Sequence, residues 1–268
     1  MPLLLRELKA NLKGLTVWSL SAVFFIIAGM GKFEGLTSDE MNLNSFAAKM
    51  PKAMQFLFGG GQFDLSTVSG FYGVMFSYLL LLGAIYAVTL GSGILIKEER
   101  DKTAEFLVVK PIPRYRIILE KLIAVVAMQF FFNLVIGAAS IITLDGLEKG
   151  NDLSGRIWRL MIALFIVQMI FATLGAAMAA MGKNNHHATQ QSIWILLVAY
   201  LLSIMINIAD TSEAMNFLKA FTPFLYFDAA SLIGGQALPL VPILGSVLLI
   251  ALFTAATFVF YQKRDMVL

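Results

Sequence analysis

Long uninterrupted apolar stretches alternate with short polar segments along this sequence. A helix crosses a bilayer core with about 20 consecutive apolar residues, and its backbone satisfies its own hydrogen bonds. A closed barrel would instead need alternating segments of about 10 residues, whereas these runs are solidly apolar. The pattern therefore predicts an all-α membrane protein, a single transmembrane domain over residues 1–268. We expect six spans, at about residues 15–30, 71–95, 122–144, 160–181, 192–208 and 240–261.

Residues 1–14, ahead of the first span, have the pattern of a short amphipathic helix. Leu5, Leu8 and Leu12 share one helical face, and the three basic residues between positions 6 and 13 lie elsewhere. Such a helix can lie in the plane of the membrane interface. We expect an N-terminal interfacial helix here, and a first span with basic flanks is the alternative.

The most highly charged segment is residues 97–121, between the second and third spans, with seven basic and five acidic residues. Pro111 and Pro113 interrupt it, so it cannot form one continuous helix. We expect a helix over about 98–109, a break, and a second helix from about Arg114. An amphipathic element of this kind can dock on a soluble partner and transmit its motion, whereas the alternative is an inert juxtamembrane loop.

Composition supports a membrane protein, since 59% of the residues are hydrophobic and only 14% are charged. Soluble domains are closer to 25% charged. If the N-terminus is cytoplasmic, 13 of the 20 Lys and Arg residues fall on the cytoplasmic side, which is the usual bias. Six spans put both termini on that side. The chain has no cysteine, which excludes disulfides.

The sequence contains no motif that supports catalysis. The pairs Gly31-Lys32 and Gly182-Lys183 lack the other residues of a phosphate-binding loop, so ATP would have to be hydrolysed by another chain. His186 and His187 are adjacent and point apart on a helix, which favours solvated turn residues over a metal site. We expect this chain to bind no cofactor, metal or nucleic acid.

No Asp, Glu, Lys or Arg falls inside an assigned span, which argues against an ion-coupled carrier. The spans do hold polar aromatic and amide residues. The candidates for lining a substrate pathway are Tyr78, Tyr86, Tyr200 and Asn207, although for each residue taken alone a hydrogen bond between helices is the better explanation. Small residues between Gly175 and Gly182 favour close helix packing, within the bundle or at a dimer seam.

Three segments resemble those of one transporter family. Residues 97–107 read Lys-Glu-Glu-Arg-Asp-Lys-Thr-Ala-Glu-Phe-Leu, followed by Pro111-Ile-Pro-Arg and Glu120-Lys121. Met50-Pro51 to Phe58-Gly59 with Gly70-Phe71, and Phe221-Thr-Pro-Phe224 to Gly234-Gly235, complete the pattern. In order and spacing these motifs are similar to those of type 2 ABC transporter permeases, over essentially the whole chain.

The resemblance implies a permease that pairs with a second permease copy and with two copies of a cytoplasmic ABC ATPase, which would bind ATP and Mg²⁺. Residues 97–121 would carry the coupling helix seated on the ATPase, and residues 6–13 would belong to a connecting helix along the membrane. The coupling residues would be Glu98, Glu99, Arg100, Lys102, Thr103, Glu105, Phe106 and Leu107.

The pathway would lie between the two permease copies, bordered by the second and fifth spans. Because the spans are uncharged, the resemblance favours export of an apolar or amphipathic substrate. The preferred candidate is a peptide or toxin, such as a phenol-soluble-modulin-like or antimicrobial peptide, and a drug is another. A membrane protein with an immunity, assembly or sensor role, or an ion-coupled carrier, remains the alternative.

Overall fold

The computed structural model describes residues 2–38, 44–45, 49–51, 54–55, 63–101, 113–147, 154–182, 185–208 and 217–263. These residues form helices and contain no strand. In chain order the α-helices are α1 (Pro2–Ser38), α2 (Val68–Arg100), α3 (Arg114–Leu147), α4 (Ser154–Met181), α5 (Asn185–Ile208), α6 (Ala229–Ile233) and α7 (Leu240–Lys263), with a 3₁₀ turn at Pro223–Leu225 before α6.

Six of these helices, all except α6, are long and apolar enough to cross a bilayer. The predicted all-α membrane fold with six spans is therefore confirmed. The helices α2, α3 and α4 extend past the predicted spans because helical hydrogen bonding continues into the polar flanks. The 3₁₀ turn Pro223–Leu225 and the five-residue helix α6 are too short to cross a bilayer.

The first helix differs from the expectation of a separate interfacial element. Residues 2–14 and the first span form one helix of 37 residues, about 55 Å long at 1.5 Å per residue, against a bilayer core of about 30 Å. Across the expected junction, Thr16 Oγ1 donates to the carbonyls of Leu12 and Lys13, each at 2.9 Å. The alternative, a first span with a basic flank, is what the structure contains.

The centre of the bundle is the pair α2 and α4, whose backbones touch. A Cβ added to Gly91 of α2 would lie 2.0 Å from the carbonyl oxygen of Ala172 in α4, and one added to Gly175 would lie 2.6 Å from that of Val88. Small residues allow this close approach. Because lipid is as apolar as the side chains, helices in a membrane associate through dispersion contacts between closely packed backbones rather than through the hydrophobic effect. Close packing within the bundle, one of the two expectations for this stretch of α4, is confirmed.

The other spans surround this pair. Helix α1 packs mainly on α3, α5 packs mainly on α2, and α7 packs on α4. Helix α7 exposes an apolar stripe that includes Leu244, Leu248 and Leu252. Within a bilayer such a stripe contacts hydrocarbon at no cost, so α7 is a peripheral helix.

Both ends of the described chain reach the same end of the bundle. Arg114 at the start of α3 donates to the carbonyl of Gln262 near the end of α7, at 3.1 Å. Arg6 in α1 contacts Glu98 near the end of α2. We call this face, where α1 and α3 begin and α2 and α7 end, the charged end.

Candidate functional site

A buried ion pair lies at the charged end, where α2 stops and α3 starts. Lys121 is fully buried, and its Nζ lies 2.5 Å from Oε2 of Glu98, which is 3% exposed. Nζ also donates to the carbonyl of Ile94, one turn earlier in α2. The other carboxylate oxygen of Glu98, Oε1, accepts from the guanidinium of Arg6 at 3.2 Å.

Further charged groups attach the start of α1 to α3. Glu120 accepts a hydrogen bond from the backbone N–H of Leu4 at 3.1 Å and another from Nε of Arg116 at 3.1 Å. The N–H of Leu4 is among the first in α1 and has no partner inside that helix, so Glu120 satisfies it. Leu3 and Ile117 pack together beside this contact.

Glu7 is the exception within this cluster. It is fully buried, and neither of its carboxylate oxygens has a hydrogen-bond partner within the described ranges. Its nearest cation is Arg6, at 3.8 Å. A buried carboxylate in this situation carries a desolvation cost that its surroundings do not fully offset.

The eight predicted coupling residues divide into three groups. Glu98, Glu99 and Arg100 form the last turn of α2, although we had expected them to open a separate helix. The carboxylate of Glu98 points inward and Glu99 is half-buried. Arg100 is exposed, and within the described ranges its ion pair is with the neighbouring Asp101, at 3.1 Å. Lys102, Thr103, Glu105, Phe106 and Leu107 lie outside the described residues.

The charged residues buried beside Glu98 were not predicted as a site from the sequence. Lys121 and Glu120 appeared only as part of a motif, and Glu7 was not singled out. A signal did exist, since Glu7 is the one acidic residue in the first 33 positions of the sequence. Charges within one or two turns of a span end look like solvated flanks in a sequence, and only the packing of α1 over α3 buries them.

A cavity of about 250 Å³ lies toward the other end of the bundle, between α2, α5 and the segment that contains the 3₁₀ turn. Three of the four candidate pathway residues line it: Tyr78 from α2, and Tyr200 and Asn207 from α5. Phe224 closes one side and stacks edge-on against Tyr200, with ring centroids 5.3 Å apart. Lys219 also lines the cavity and forms no ion pair with a carboxylate in the described part of the chain.

Tyr86, the fourth candidate, does not reach the cavity. It is 3% exposed, and its ring packs between Trp18 of α1 and Phe132 of α3, at centroid distances of 5.6 and 4.8 Å. Tyr86 therefore packs between helices through its ring, and its hydroxyl has no hydrogen-bond partner among the described residues, so the predicted interhelix hydrogen bond is not found there. Asn207 shows a local bond as well, since its amide donates to the carbonyl of Ser203 at 3.0 Å.

A second buried polar group lies at mid-bundle. Asn133 of α3 donates to the side-chain oxygen of Gln168 in α4, an interhelix bond of the kind expected from its position. Gln168 lies against Gly83, where a Cβ would approach its amide nitrogen to 2.5 Å. Gln129, one turn from Asn133, is fully buried. The bond between Asn133 and Gln168 links α3 to α4.

The described residues contain no cluster of His, Asp, Glu or Cys with the geometry of a metal site. Six helices that are long and apolar enough to cross a bilayer are typical of a multi-pass membrane protein. The chain belongs to the ABC-2 family of transporter proteins, whose family model matches residues 1–266. Comparison with curated proteins gave no match. Members of this family are transport membrane subunits, and the family implies association with an ABC ATPase.

Proposed function

We propose that this chain is the permease subunit of an ATP-driven exporter, and that ATP with Mg²⁺ is hydrolysed on a separate cytoplasmic ABC ATPase. Two copies of the permease, most simply a homodimer, would assemble with two ATPase copies. The charged end would face the cytoplasm, since most Lys and Arg residues fall on that side. The substrate would be hydrophobic or amphipathic, such as a phenol-soluble-modulin-like or antimicrobial peptide, or a drug.

The observation that carries this proposal is the exposed end of α2 within a chain of this family. Arg100 projects from the last turn of α2, and 57% of its side chain is exposed. Its ion pair with Asp101 is on the surface and contributes little to stability. Arg100 is therefore available to an acidic or polar surface on a partner, and Glu99 beside it is half-buried.

The test is purification of the tagged chain in mild detergent, followed by identification of the proteins that co-purify. We expect a roughly stoichiometric ATPase with a phosphate-binding loop. Arg100→Glu should reduce its retention by about tenfold, since one lost charge contact in an interface costs roughly 1–2 kcal/mol. Lys263→Glu is the matched control, because Lys263 is an exposed cation in the last turn of α7 at the same end.

A chain that purifies alone, with ATP present or absent, would contradict the proposal and favour an immunity, assembly or sensor role. If Arg100→Glu and the control retained the same amount of ATPase, the end of α2 would not be part of the ATPase contact. Transport that continued without ATP and collapsed with the ion gradient would indicate a carrier instead.

The cavity supports the substrate class in this proposal. Its walls combine aromatic rings from Tyr78, Tyr200 and Phe224 with the amide of Asn207 and the ammonium of Lys219. Ligand sites commonly combine an apolar lining with a few polar groups in this way. The volume suits a side chain or head group of an amphipathic molecule rather than a whole peptide.

Substrate contact at this cavity can be measured by the stimulation of ATP hydrolysis with a synthetic amphipathic helical peptide. Tyr200→Ala should raise the peptide concentration for half-maximal stimulation about tenfold, the effect of losing one well-packed aromatic contact. Trp194→Ala removes an exposed aromatic side chain of the same helix that does not line the cavity, and should leave this concentration unchanged. A Tyr200→Ala complex that responds like the original one would exclude this cavity from the pathway.

A further inference from the structure

One buried cation, Lys121, joins the end of α2 to the start of α3. Lys121, in the second turn of α3, binds both the side chain of Glu98 and the backbone carbonyl of Ile94 in α2. The ammonium of Lys121 therefore binds two groups of α2, at Glu98 and Ile94, which precede it by 23 and 27 residues in the chain. The Lys121 side chain itself has no exposed surface. The two helix ends are fixed in register as well as in distance.

Helix α1 is attached to the same pair. Arg6 reaches the oxygen of Glu98 that Lys121 does not use, at 3.2 Å. Glu120, the neighbour of Lys121, holds the backbone N–H of Leu4. Three helix ends are thus joined through charged groups, and Glu98 lies at the centre because it accepts from both other helices.

Stability alone does not account for this arrangement. Burying an ion pair costs nearly as much desolvation as the pairing returns, and apolar side chains of similar volume often stabilise a fold equally well. Apolar contacts, however, permit sliding and rotation. An ion pair with a second bond to the backbone sets one geometry, and fixing register is the best-attested use of buried polar groups.

We propose that Glu98 and Lys121 are positioning residues that make the charged ends of α2 and α3 move as one unit, with Arg6 and Glu120 attaching the start of α1. The inference rests on the proposed coupling function, since a displacement delivered at the end of α2 is then shared by three helices. It also gives Glu98 a role different from direct ATPase contact, because its carboxylate faces inward.

The absence of cysteine from the chain allows a direct test with spin labels. Nitroxides are attached at Asp101→Cys, at the end of α2, and Tyr115→Cys, at the start of α3, which are 44% and 55% exposed. Distances are measured by pulsed EPR for the permease in lipid nanodiscs, alone and in complex with the co-purified ATPase trapped by ATP and vanadate. We expect one narrow distribution, unchanged by trapping.

Lys121→Met should broaden that distribution in the permease alone and make it shift on trapping, and Lys121→Arg should restore it. The double variant Glu98→Gln/Lys121→Met removes both charges of the buried pair, so its Tm should recover in part relative to Lys121→Met while the distribution stays broad. A merely structural role predicts that the distribution recovers together with the Tm. Tyr72→Phe is the control, because it removes the other α2–α3 hydrogen bond, to Ser140 at 2.7 Å, away from the charged end.

Three results would overturn the proposal: a narrow distribution in Lys121→Met in both states, a narrow distribution in the double variant, or a shift on trapping in the unsubstituted background. The permease-alone measurement needs no ATPase. Failure of an ATPase to co-purify would therefore contradict the proposed function, while a broadened Lys121→Met distribution would still show that the pair fixes the two helix ends.

Discussion

At the scale of single residues, Glu98 and Glu7, two of the buried glutamates at the charged end, have opposite surroundings. Glu98 accepts from the ammonium of Lys121 and the guanidinium of Arg6, so both of its oxygens are used. The carboxylate of Glu7 is equally buried and has no hydrogen-bond partner among the described side chains and backbone groups. Removing the negative charge should therefore have opposite effects at these two positions.

Glu98→Gln should lower the free energy of unfolding by about 3 kcal/mol, because it leaves the buried ammonium of Lys121 without its counter-charge. Glu7→Gln should be neutral or stabilising by up to about 1 kcal/mol, because it removes a buried charge that lacks a hydrogen-bond partner and keeps the side-chain volume. The measurement is the thermal midpoint of each purified variant in detergent. Equal destabilisation by both changes would show that Glu7 has a charge partner as strong as that of Glu98.

At the scale of helices, the contact between α2 and α4 depends on positions that have no side chain. The backbone of Gly91 lies so close to α4 that any Cβ must displace Ala172. Gly93, two residues further along the same helix, has open space around its Cα. The two glycines differ in their surroundings and hardly at all in their sequence context.

Gly91→Ala should destabilise the protein by about 2 kcal/mol or more, since overpacking a close contact costs roughly 1–3 kcal/mol and here the obstacle is backbone. Gly93→Ala should be neutral or slightly stabilising, because alanine favours the helix by about 1 kcal/mol over glycine. Thermal midpoints of the two variants in the same detergent compare them directly. A Gly91→Ala protein as stable as the Gly93→Ala control would mean that α2 and α4 do not touch at this point.

The sequence predicts an element well when the residues of that element alone determine it, and poorly when the element depends on contacts with distant residues. The spans were predicted because a solid apolar run needs only its own residues to specify a membrane helix. Close packing of the small residues around Gly175 was also predictable, although their partner Val88 was not. A break between an interfacial helix and the first span was expected near Thr16, but the helix is continuous there. The sequence could not distinguish the two cases, because an amphipathic flank and a helix that continues have the same hydrophobic periodicity.

The candidate site was less predictable, because its contacts join residues far apart in the chain. Lys121 and Ile94 lie on different helices, and neither position is unusual in the sequence. For the pathway candidates, Tyr78 and Tyr86 are eight residues apart on α2, yet only Tyr78 faces the cavity. Eight residues at 3.6 per turn leave the two side chains about 80° apart around the helix, and which face meets α5 depends on packing.

At the scale of the whole molecule, the charged end and the cavity lie toward opposite ends of the bundle. The central pair α2 and α4 runs between them, and α2 contributes both Glu98 and Tyr78. In the proposed mechanism, a movement at one end of α2 would be carried toward the cavity, because the backbones of α2 and α4 are in contact along the way. The proposed function requires the charged end to face the cytoplasm, and this orientation can be tested without the ATPase or the substrate.

Single cysteines placed at Lys263, at the charged end, and at Gln236, in the exposed segment between α6 and α7, should react differently with a membrane-impermeant maleimide. In intact cells we expect Gln236→Cys to be labelled and Lys263→Cys to be labelled only after permeabilisation. The physical reason is the retention of Lys and Arg on the cytoplasmic side during insertion, which acts most strongly on short loops next to spans. The cysteine-free parent supplies the background. Labelling of Lys263→Cys in intact cells would place the charged end outside, where no cytoplasmic ATPase could reach Arg100, and the coupling proposal would fail with it.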